Sequence, residues 1–122
     1  MDDSPTVREI IKIYLMKRRD LEFIEADDGV RGLRLARLMP VSLIITDIKM
    51  PAMDGITFLT HLRADSNERL RKVPVVMVTG QSDPALAQQA TAAGASAFLT
   101  KPVTPQALQE IAERFLPPPA KP

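Results

Sequence analysis

The stretch VSLIITD, at residues 41–47, is a run of apolar and β-branched residues that ends in an aspartate. Two later runs have a similar form: VPVVMVT covers residues 73–79, and SAFLT covers residues 96–100. Strands that are apolar throughout are typical of a parallel sheet that is covered on both faces. Helical patterns separate the runs, and strands alternating with helices predict an α/β fold with a parallel sheet.

The other elements are predicted from apolar spacing and from helix start and stop signals. Helices are expected over residues 5–18, 29–39, 56–62, 84–93 and 105–116, a short strand over 21–26, and a polar loop over 66–72. Three helix starts carry a capping residue followed by proline, namely Ser4–Pro5, Asp83–Pro84 and Thr104–Pro105. Gly94 is expected to stop the helix before it. Residues 1–116 are predicted to form one domain, and PPPAKP at 117–122 is a tail or the start of a linker.

Composition excludes several kinds of site. The chain has no cysteine, one histidine and a formal charge of +1, so a disulfide framework, a cysteine-based zinc site and a multi-histidine metal site are excluded. The net charge predicts neither nucleic-acid nor membrane binding. No stretch approaches the roughly 20 apolar residues that span a bilayer, and the N-terminus lacks the order of a signal peptide. The expected location is the cytoplasm.

Polar residues follow each of the three apolar runs. Asp47 ends the first run, Thr79 ends the second, and Lys101 follows the third. Because the carboxyl ends of parallel strands meet at one edge of the sheet, these side chains are expected to converge. Asp2 and Asp3 precede the first helix and would share that edge if a strand led into them.

A cluster of carboxylates without imidazole or thiolate suits a hard cation, and Mg²⁺ is the natural choice. Lys101 offers a positive charge to a phosphate oxygen, Thr79 offers a hydroxyl donor, and Asp47 could be a carboxylate nucleophile. Taken singly, each residue also has an ordinary structural role. Asp47 could form a turn, Thr79 favours a strand, Lys101 could be a surface lysine, and Asp2–Asp3 could cap a helix.

Four segments carry a resemblance to a known family: DDSPTVRE, TDIKMPAMDG, VPVVMVTG and AFLTKP. Together they resemble the receiver domain of two-component response regulators, including the single-domain receivers of chemotaxis. The resemblance implies a flavodoxin-like, doubly wound parallel sheet of strand order 2-1-3-4-5.

The resemblance also implies roles for individual residues. Asp47 matches the phosphoacceptor, Thr79 the switch hydroxyl, and Lys101 the lysine of the catalytic group. Phe98 matches the aromatic rotamer switch, and Gly80 the small residue that gives access to the phosphate. For the metal, the resemblance assigns Mg²⁺ to Asp3 and Asp47 directly, to the backbone carbonyl of Lys49, and to Asp2 through water. The Lys49 side chain is also expected to lie at the mouth of the site, two residues after the acceptor.

The sequence departs from the family at its start. Relatives have an apolar strand before the acidic pair, whereas only Met1 precedes Asp2 here. Either the start of the sequence is placed too late, or the receiver is truncated and its first strand, which would be central in the family order, is missing. The run at 41–46 would then be uncovered and would pair with another chain, giving a homodimer, or pair directly with residues 21–26. Direct pairing would displace Asp2 and Asp3 from Asp47.

The leading hypothesis for function is a phosphorylation-switched signalling module. It receives a phosphoryl group on Asp47 from a histidine kinase or another phosphotransfer protein, as in a phosphorelay, and the change alters binding to a downstream protein partner. It is not expected to be an enzyme beyond self-phosphorylation and self-dephosphorylation. One alternative is an interaction module that no longer depends on phosphorylation. A more remote one is a haloacid-dehalogenase-type phosphatase, which needs a second aspartate where Lys49 stands.

A basic stripe of Arg31, Arg34 and Arg37 lies on the second predicted helix. It is interpreted as a solvated face rather than as a nucleic-acid patch. Direct binding of nucleic acid or of a membrane is not expected.

Overall fold

The computed structural model describes residues 1–2, 5–15, 22–48, 53–79, 84–101 and 103–116. Its elements in chain order are α1 (Pro5–Leu15), α2 (Gly29–Leu38), β1 (Ile44–Asp47), α3 (Gly55–Arg63), α4 (Glu68–Lys72), β2 (Val75–Thr79), α5 (Pro84–Ala93), β3 (Ala97–Thr100) and α6 (Pro105–Phe115). The proposed tail at 117–122 lies outside the described residues. None of the described helices is long and apolar enough to cross a membrane.

The three strands form a parallel sheet of order β1-β2-β3. Alternate residues of β2 point into two separate cores. Val75 and Met77 pack with residues of α2 and α3, while Val76 and Val78 pack with residues of α1 and α6. Helices therefore cover both faces of the sheet, as the continuous apolar runs predicted.

Two residues occupy the place of a strand beside β1. The Met1 ammonium donates a hydrogen bond to the Ile45 carbonyl, and the Asp47 N–H donates to the Met1 carbonyl at 2.9 Å. On the other side, the Asp2 N–H donates to the Ala26 carbonyl at 3.1 Å. The spatial order is thus residues 22–26, residues 1–2, β1, β2 and β3. This agrees with the order 2-1-3-4-5, with the first strand reduced to a stub.

The prediction of a strand over residues 21–26 is wrong for the part that the structure describes. Residues 22–26 are not paired in the sheet, and Met1 and Asp2 are the described residues that lie between them and β1. They do not close directly onto β1 either. A cavity of about 470 Å³ is lined by both segments, with Phe23 and Ile24 from one and Leu43 and Ile45 from the other. β1 likewise begins at Ile44 and not at residue 41.

The predicted polar loop over 66–72 is also wrong, since it contains the short helix α4. The Asn67 side chain accepts a hydrogen bond from the Arg69 N–H at 3.0 Å and caps the helix. Leu70 is fully buried in the core. The Arg69 side chain also donates to the Met39 and Ala36 carbonyls, so α4 is tied to the end of α2 as well as to the core.

The helix boundaries follow local signals. Thr104 caps α6 by accepting from the Ala107 N–H at 3.1 Å, which confirms that predicted start. Gly94 has φ +109° directly after α5, so the predicted helix stop is confirmed. Asp28 and Asp54 cap α2 and α3. The predicted caps Ser4 and Asp83 lie outside the described residues.

Candidate functional site

The carboxyl ends of the strands bring three predicted residues to one edge of the sheet. Asp47 ends β1, and Thr79 ends β2. The backbone N–H of Lys101 donates to the Thr79 carbonyl at 2.8 Å, which fixes the start of the Lys101 side chain beside β2. From there the side chain reaches across the end of β2 to Asp47.

The Lys101 ammonium joins two carboxylates. Its Nζ lies 2.9 Å from Asp47 Oδ2 and 3.7 Å from Asp2 Oδ2. The two acids are buried, with 2% of Asp2 and 9% of Asp47 exposed. Charge-assisted hydrogen bonds of this kind are among the stronger polar contacts in proteins. Two carboxylates against one ammonium leave an excess negative charge that a further cation would balance.

The backbone around Asp47 is held by two residues that the sequence analysis did not single out. The buried Thr46 hydroxyl donates to the Asp47 carbonyl at 2.9 Å. Gly55 begins α3, and its N–H donates to the Ile48 carbonyl at 2.7 Å. A Cβ on Gly55 would lie 2.3 Å from the Asp47 carbonyl oxygen, so only glycine fits this approach. The sequence Asp54–Gly55 could have predicted the start of a helix. The close approach of Gly55 to β1 could not be predicted, because it is a tertiary contact.

The described donor set suits a hard divalent cation. Asp2 and Asp47 supply carboxylate oxygens, which are the ligands that Mg²⁺ prefers. Within the residues that the structure describes, no group of three histidine, cysteine, aspartate or glutamate side chains forms a metal cluster. The proposed ligands Asp3 and Lys49 lie outside those residues. The two described carboxylates therefore fit part of a magnesium site.

The other predicted site residues take separate positions. Thr79 is half-buried at the end of β2, and Phe98 is exposed on β3, opposite Met77 in the strand register. Gly80 lies outside the described residues. The structure thus brings Asp2, Asp47 and Lys101 together, and it places Thr79 at the same edge.

Burial changes the acidity of the group that anchors the stub. The Met1 ammonium is partly buried beside a cavity lined by α1, α2 and β1, and loss of hydration lowers its pKa to about 6, while the charge of Asp2 opposes the shift. The stub that carries Asp2 into the site is therefore held partly by a desolvated amine.

Comparison with known proteins gives consistent matches. The family model described as the response regulator receiver domain matches residues 1–113. The chemotaxis protein CheY of Pseudomonas aeruginosa is 40% identical over 118 residues, covering 94% of this chain and 91% of that protein. The chemotaxis protein CheY1 of Helicobacter pylori is 35% identical over 117 residues, covering 95% of this chain and 93% of that protein.

Solved structures match over the same length. The chemotaxis protein CheY4 of Vibrio cholerae superposes with a TM-score of 0.84 at 31% identity, covering 94% of this chain and 93% of that chain. The receiver domain of the sensor histidine kinase PA1611 from Pseudomonas aeruginosa, solved with a magnesium ion coordinated in its active-site cleft, superposes with a TM-score of 0.83 at 25% identity. That match covers 94% of this chain and 92% of that chain.

Proposed function

The chain belongs to the response regulator receiver domain family, and on that premise we propose that Asp47 is its phosphoacceptor. Receiver domains are signalling modules and not classical enzymes. The proposed reaction transfers a phosphoryl group from a histidine kinase or a phosphotransfer protein to Asp47. The observation that carries the proposal is the contact between the Lys101 ammonium and the buried Asp47 carboxylate at the carboxyl edge of a parallel sheet.

The chemistry follows from the residues at that edge. A carboxylate oxygen of Asp47 forms a bond to phosphorus while the bond from phosphorus to the donor's imidazole nitrogen breaks, and the imidazole leaves. The product is an aspartyl-phosphate. Lys101 is placed to exchange part of its contact with Asp47 for a contact with a phosphoryl oxygen. Water then hydrolyses the aspartyl-phosphate and restores Asp47, and this is the only other reaction proposed for the chain.

The proposed magnesium ligands are Asp3, Asp47 and the Lys49 carbonyl, with Asp2 bound to the ion through water. Asp2 and Asp47 support this assignment because both carboxylates meet at Lys101. When bound, the ion supplies positive charge next to the transferred phosphoryl group. The protein's own part is to hold the two carboxylates close together against their mutual repulsion, and Lys101 does this.

The proposed switch runs from Asp47 to the surface of β3. A phosphoryl group adds about −1.5 to −2 charge and strong acceptor oxygens. The Thr79 hydroxyl is proposed to turn toward it, with Gly80 leaving room for the phosphate. Phe98, which is exposed in this structure, would then move inward, and the altered surface would change binding to a downstream protein partner.

The phosphoacceptor can be tested by mass spectrometry after incubation with acetyl phosphate and Mg²⁺. The wild-type chain should gain one phosphoryl group, and Asp47→Asn should gain none. Asp54→Asn is the matched control, because Asp54 lies in the same stretch but caps α3, and asparagine caps a helix equally well. A phosphoryl adduct that persists in Asp47→Asn would show that the assignment is wrong.

A further inference from the structure

A second surface lies on α2, apart from the group formed by Asp2, Asp47 and Lys101. It is a cleft of about 310 Å³ between the outer side of α2 and the residue before the α3 cap, lined by Val30, Leu33, Arg34, Arg37, Leu38 and Met53. We call it the α2 cleft. The phosphoacceptor proposal makes no use of it.

The walls of the α2 cleft are fixed to each other. The Gly29 N–H at the start of α2 donates to the Met53 carbonyl at 3.2 Å. A Cβ on Gly29 would lie 2.6 Å from that same oxygen, so the two segments approach as closely as glycine allows. A cleft between fixed walls needs little reorganisation to bind, which lowers the entropic cost of association.

The floor of the cleft is apolar, and α2 also exposes apolar side chains along its sides. Leu33 is buried at the floor, whereas Leu38 is 74% exposed and Val30 is 45% exposed. Scattered exposed apolar residues are ordinary, but here they line one concavity, which is typical of an interaction site. A volume of this size accommodates one or two aliphatic side chains from a partner.

Positive charge borders the apolar floor. Arg34 and Arg37 line the cleft, and Arg31 is one turn before Arg34 on the same helix face. Arg37 is paired with Asp65 at 2.8 Å. In the part of the chain that the structure describes, Arg31 and Arg34 make no ion pair, and both are exposed.

The neighbouring acids already have hydrogen-bond or ion-pair partners within the chain. Asp28 caps α2, and Asp54 caps α3. Asp65 accepts from the Asn67 N–H and from Arg37, and both contacts lower the pKa of Asp65. The Asp65 carboxylate is therefore already engaged on the far side of Arg37, which leaves the Arg31–Arg34 side for a carboxylate from a partner.

We propose that the α2 cleft binds an acidic amphipathic segment of a partner protein. An aliphatic side chain of that segment enters between Val30 and Leu38, and its flanking carboxylates meet Arg31 and Arg34. The apolar floor and the arginines together determine which chemistry a partner must have. A nucleic acid would use the arginines but would gain nothing from the apolar floor, whereas an uncharged apolar segment would leave the arginines without partners.

The proposal can be tested by fluorescence anisotropy without any phosphate donor. The probe is a labelled helical peptide of about 15 residues that carries leucines three and four positions apart and glutamates on both flanks of that face. Its control is a peptide of the same composition in scrambled order. The wild-type chain should bind the amphipathic peptide more tightly than the scrambled one, and the difference should shrink with added salt, as for charge-assisted binding.

Variants of the chain separate the two parts of the cleft. Arg34→Glu and Leu38→Ser should each weaken binding about tenfold or more. The matched controls are Arg114→Glu on α6 and Ile13→Ser on α1, where exposed residues of the same types lie on other faces. Both controls should bind the peptide like the wild type. The substituted side chains are exposed, and circular dichroism checks that each variant is folded.

Three results would overturn the proposal. One is equal binding of the amphipathic and scrambled peptides by the wild type. Another is a loss in the control variants as large as in Arg34→Glu and Leu38→Ser. The third is binding of a DNA duplex that depends on Arg34 but not on Leu38, which would identify a nucleic-acid patch. Binding should be unchanged in Asp47→Asn, so the outcome does not depend on the phosphoacceptor assignment.

Discussion

The Lys101 ammonium donates to the Asp47 carboxylate at 2.9 Å, although the two residues are 54 positions apart and β2 lies between their strands. The same ammonium lies 3.7 Å from Asp2. One cation therefore holds together two buried acids that would otherwise repel each other. The consequences of removing that charge can be measured separately from any signalling activity.

Lys101→Met should lower the free energy of unfolding by about 1–3 kcal/mol, because it leaves two buried carboxylates without their cation. Urea denaturation at neutral pH measures this change. Lys72→Met is the matched control, since Lys72 is an exposed lysine paired with Glu68 on α4, and a surface pair of this kind contributes little. Equal effects of the two substitutions would show that Lys101 does not stabilise the acids.

Magnesium should stabilise the chain, and Asp2 and Asp47 should both be needed. A ligand that binds only the folded state adds about 1.4 kcal/mol when its free concentration is ten times Kd. We expect Mg²⁺ to raise the thermal midpoint of the wild type, and to raise that of Lys101→Met by more, because the acids then lack an internal cation. Asp2→Asn and Asp47→Asn should lose most of the effect.

Glu9→Gln serves as the control for the magnesium measurement, because Glu9 is an exposed carboxylate on α1. Its midpoint should rise with Mg²⁺ as in the wild type. A rise that is just as large in Asp2→Asn would place the ion elsewhere.

The strand ends were predictable because their signals are local. An apolar, β-branched run followed by a polar residue identifies both a buried strand and its carboxyl end, so Asp47, Thr79 and Lys101 could be placed at one edge without coordinates. The contact of Lys101 with both acids could not be derived in this way. It depends on how far a side chain reaches across β2, and only the packed structure gives that distance.

Two secondary-structure predictions were wrong because they depend on tertiary contacts. Residues 22–26 have the composition of a strand, but a strand forms only beside a partner, and in the described part of the chain they are not paired in the sheet, although the Asp2 N–H donates to the Ala26 carbonyl. Residues 66–72 have the composition of a loop, but Leu70 is buried and α4 forms over it. Residues 22–26 lack the sheet partner that their composition would need, whereas residues 66–72 gain a core contact that their composition does not signal.

Gly55→Ala should destabilise the chain and disturb the phosphoacceptor together. In most helices this substitution is stabilising or neutral, but here the new Cβ would lie 2.3 Å from the Asp47 carbonyl oxygen. Separation of the two backbones should cost about 1–3 kcal/mol, and the rate of phosphorylation by acetyl phosphate should fall. Wild-type stability with a wild-type rate would mean that the close approach does not position Asp47.

The stability of the 122-residue chain should depend on pH through the Met1 amine. Its pKa is lowered by burial from 8.0 to about 6, so the unfolded state binds a proton more readily than the folded state. Stability should therefore be greatest above pH 8 and should fall as the pH decreases toward 6, by about 2 kcal/mol between about pH 8.5 and 5.5.

An N-terminally acetylated chain is the control for this dependence, because it has no amine to titrate. Its unfolding free energy should change much less over the same range, and His61, the one histidine of the chain, is present in both proteins. Identical pH profiles would show that the amine is not buried as the structure has it.

The cavity beside β1 leads to the last prediction. In the described part of the chain, the stub contacts the carboxyl half of β1, through Ile45 and Asp47. The amino half faces a cavity of about 470 Å³ whose walls include Phe23, Ile24 and Leu43. An uncovered apolar strand edge favours pairing with another chain, so the 122-residue chain should self-associate when its concentration rises. Light scattering measures this directly.

Five apolar residues added before Met1 should fill that cavity as an extended strand. Burial of two or three of their side chains should stabilise the chain by about 3 kcal/mol or more, and the new ladder would hold Asp2 in place, so Mg²⁺ should bind more tightly. Self-association should decrease because the edge of β1 is then covered. The pH dependence assigned to the Met1 amine should also disappear, since that nitrogen becomes a peptide N–H.

An extension of five alternating glycines and serines should give none of the gain in stability. If the 122-residue chain stays monomeric and the apolar extension stabilises it no more than the glycine–serine extension, the cavity is not a strand site.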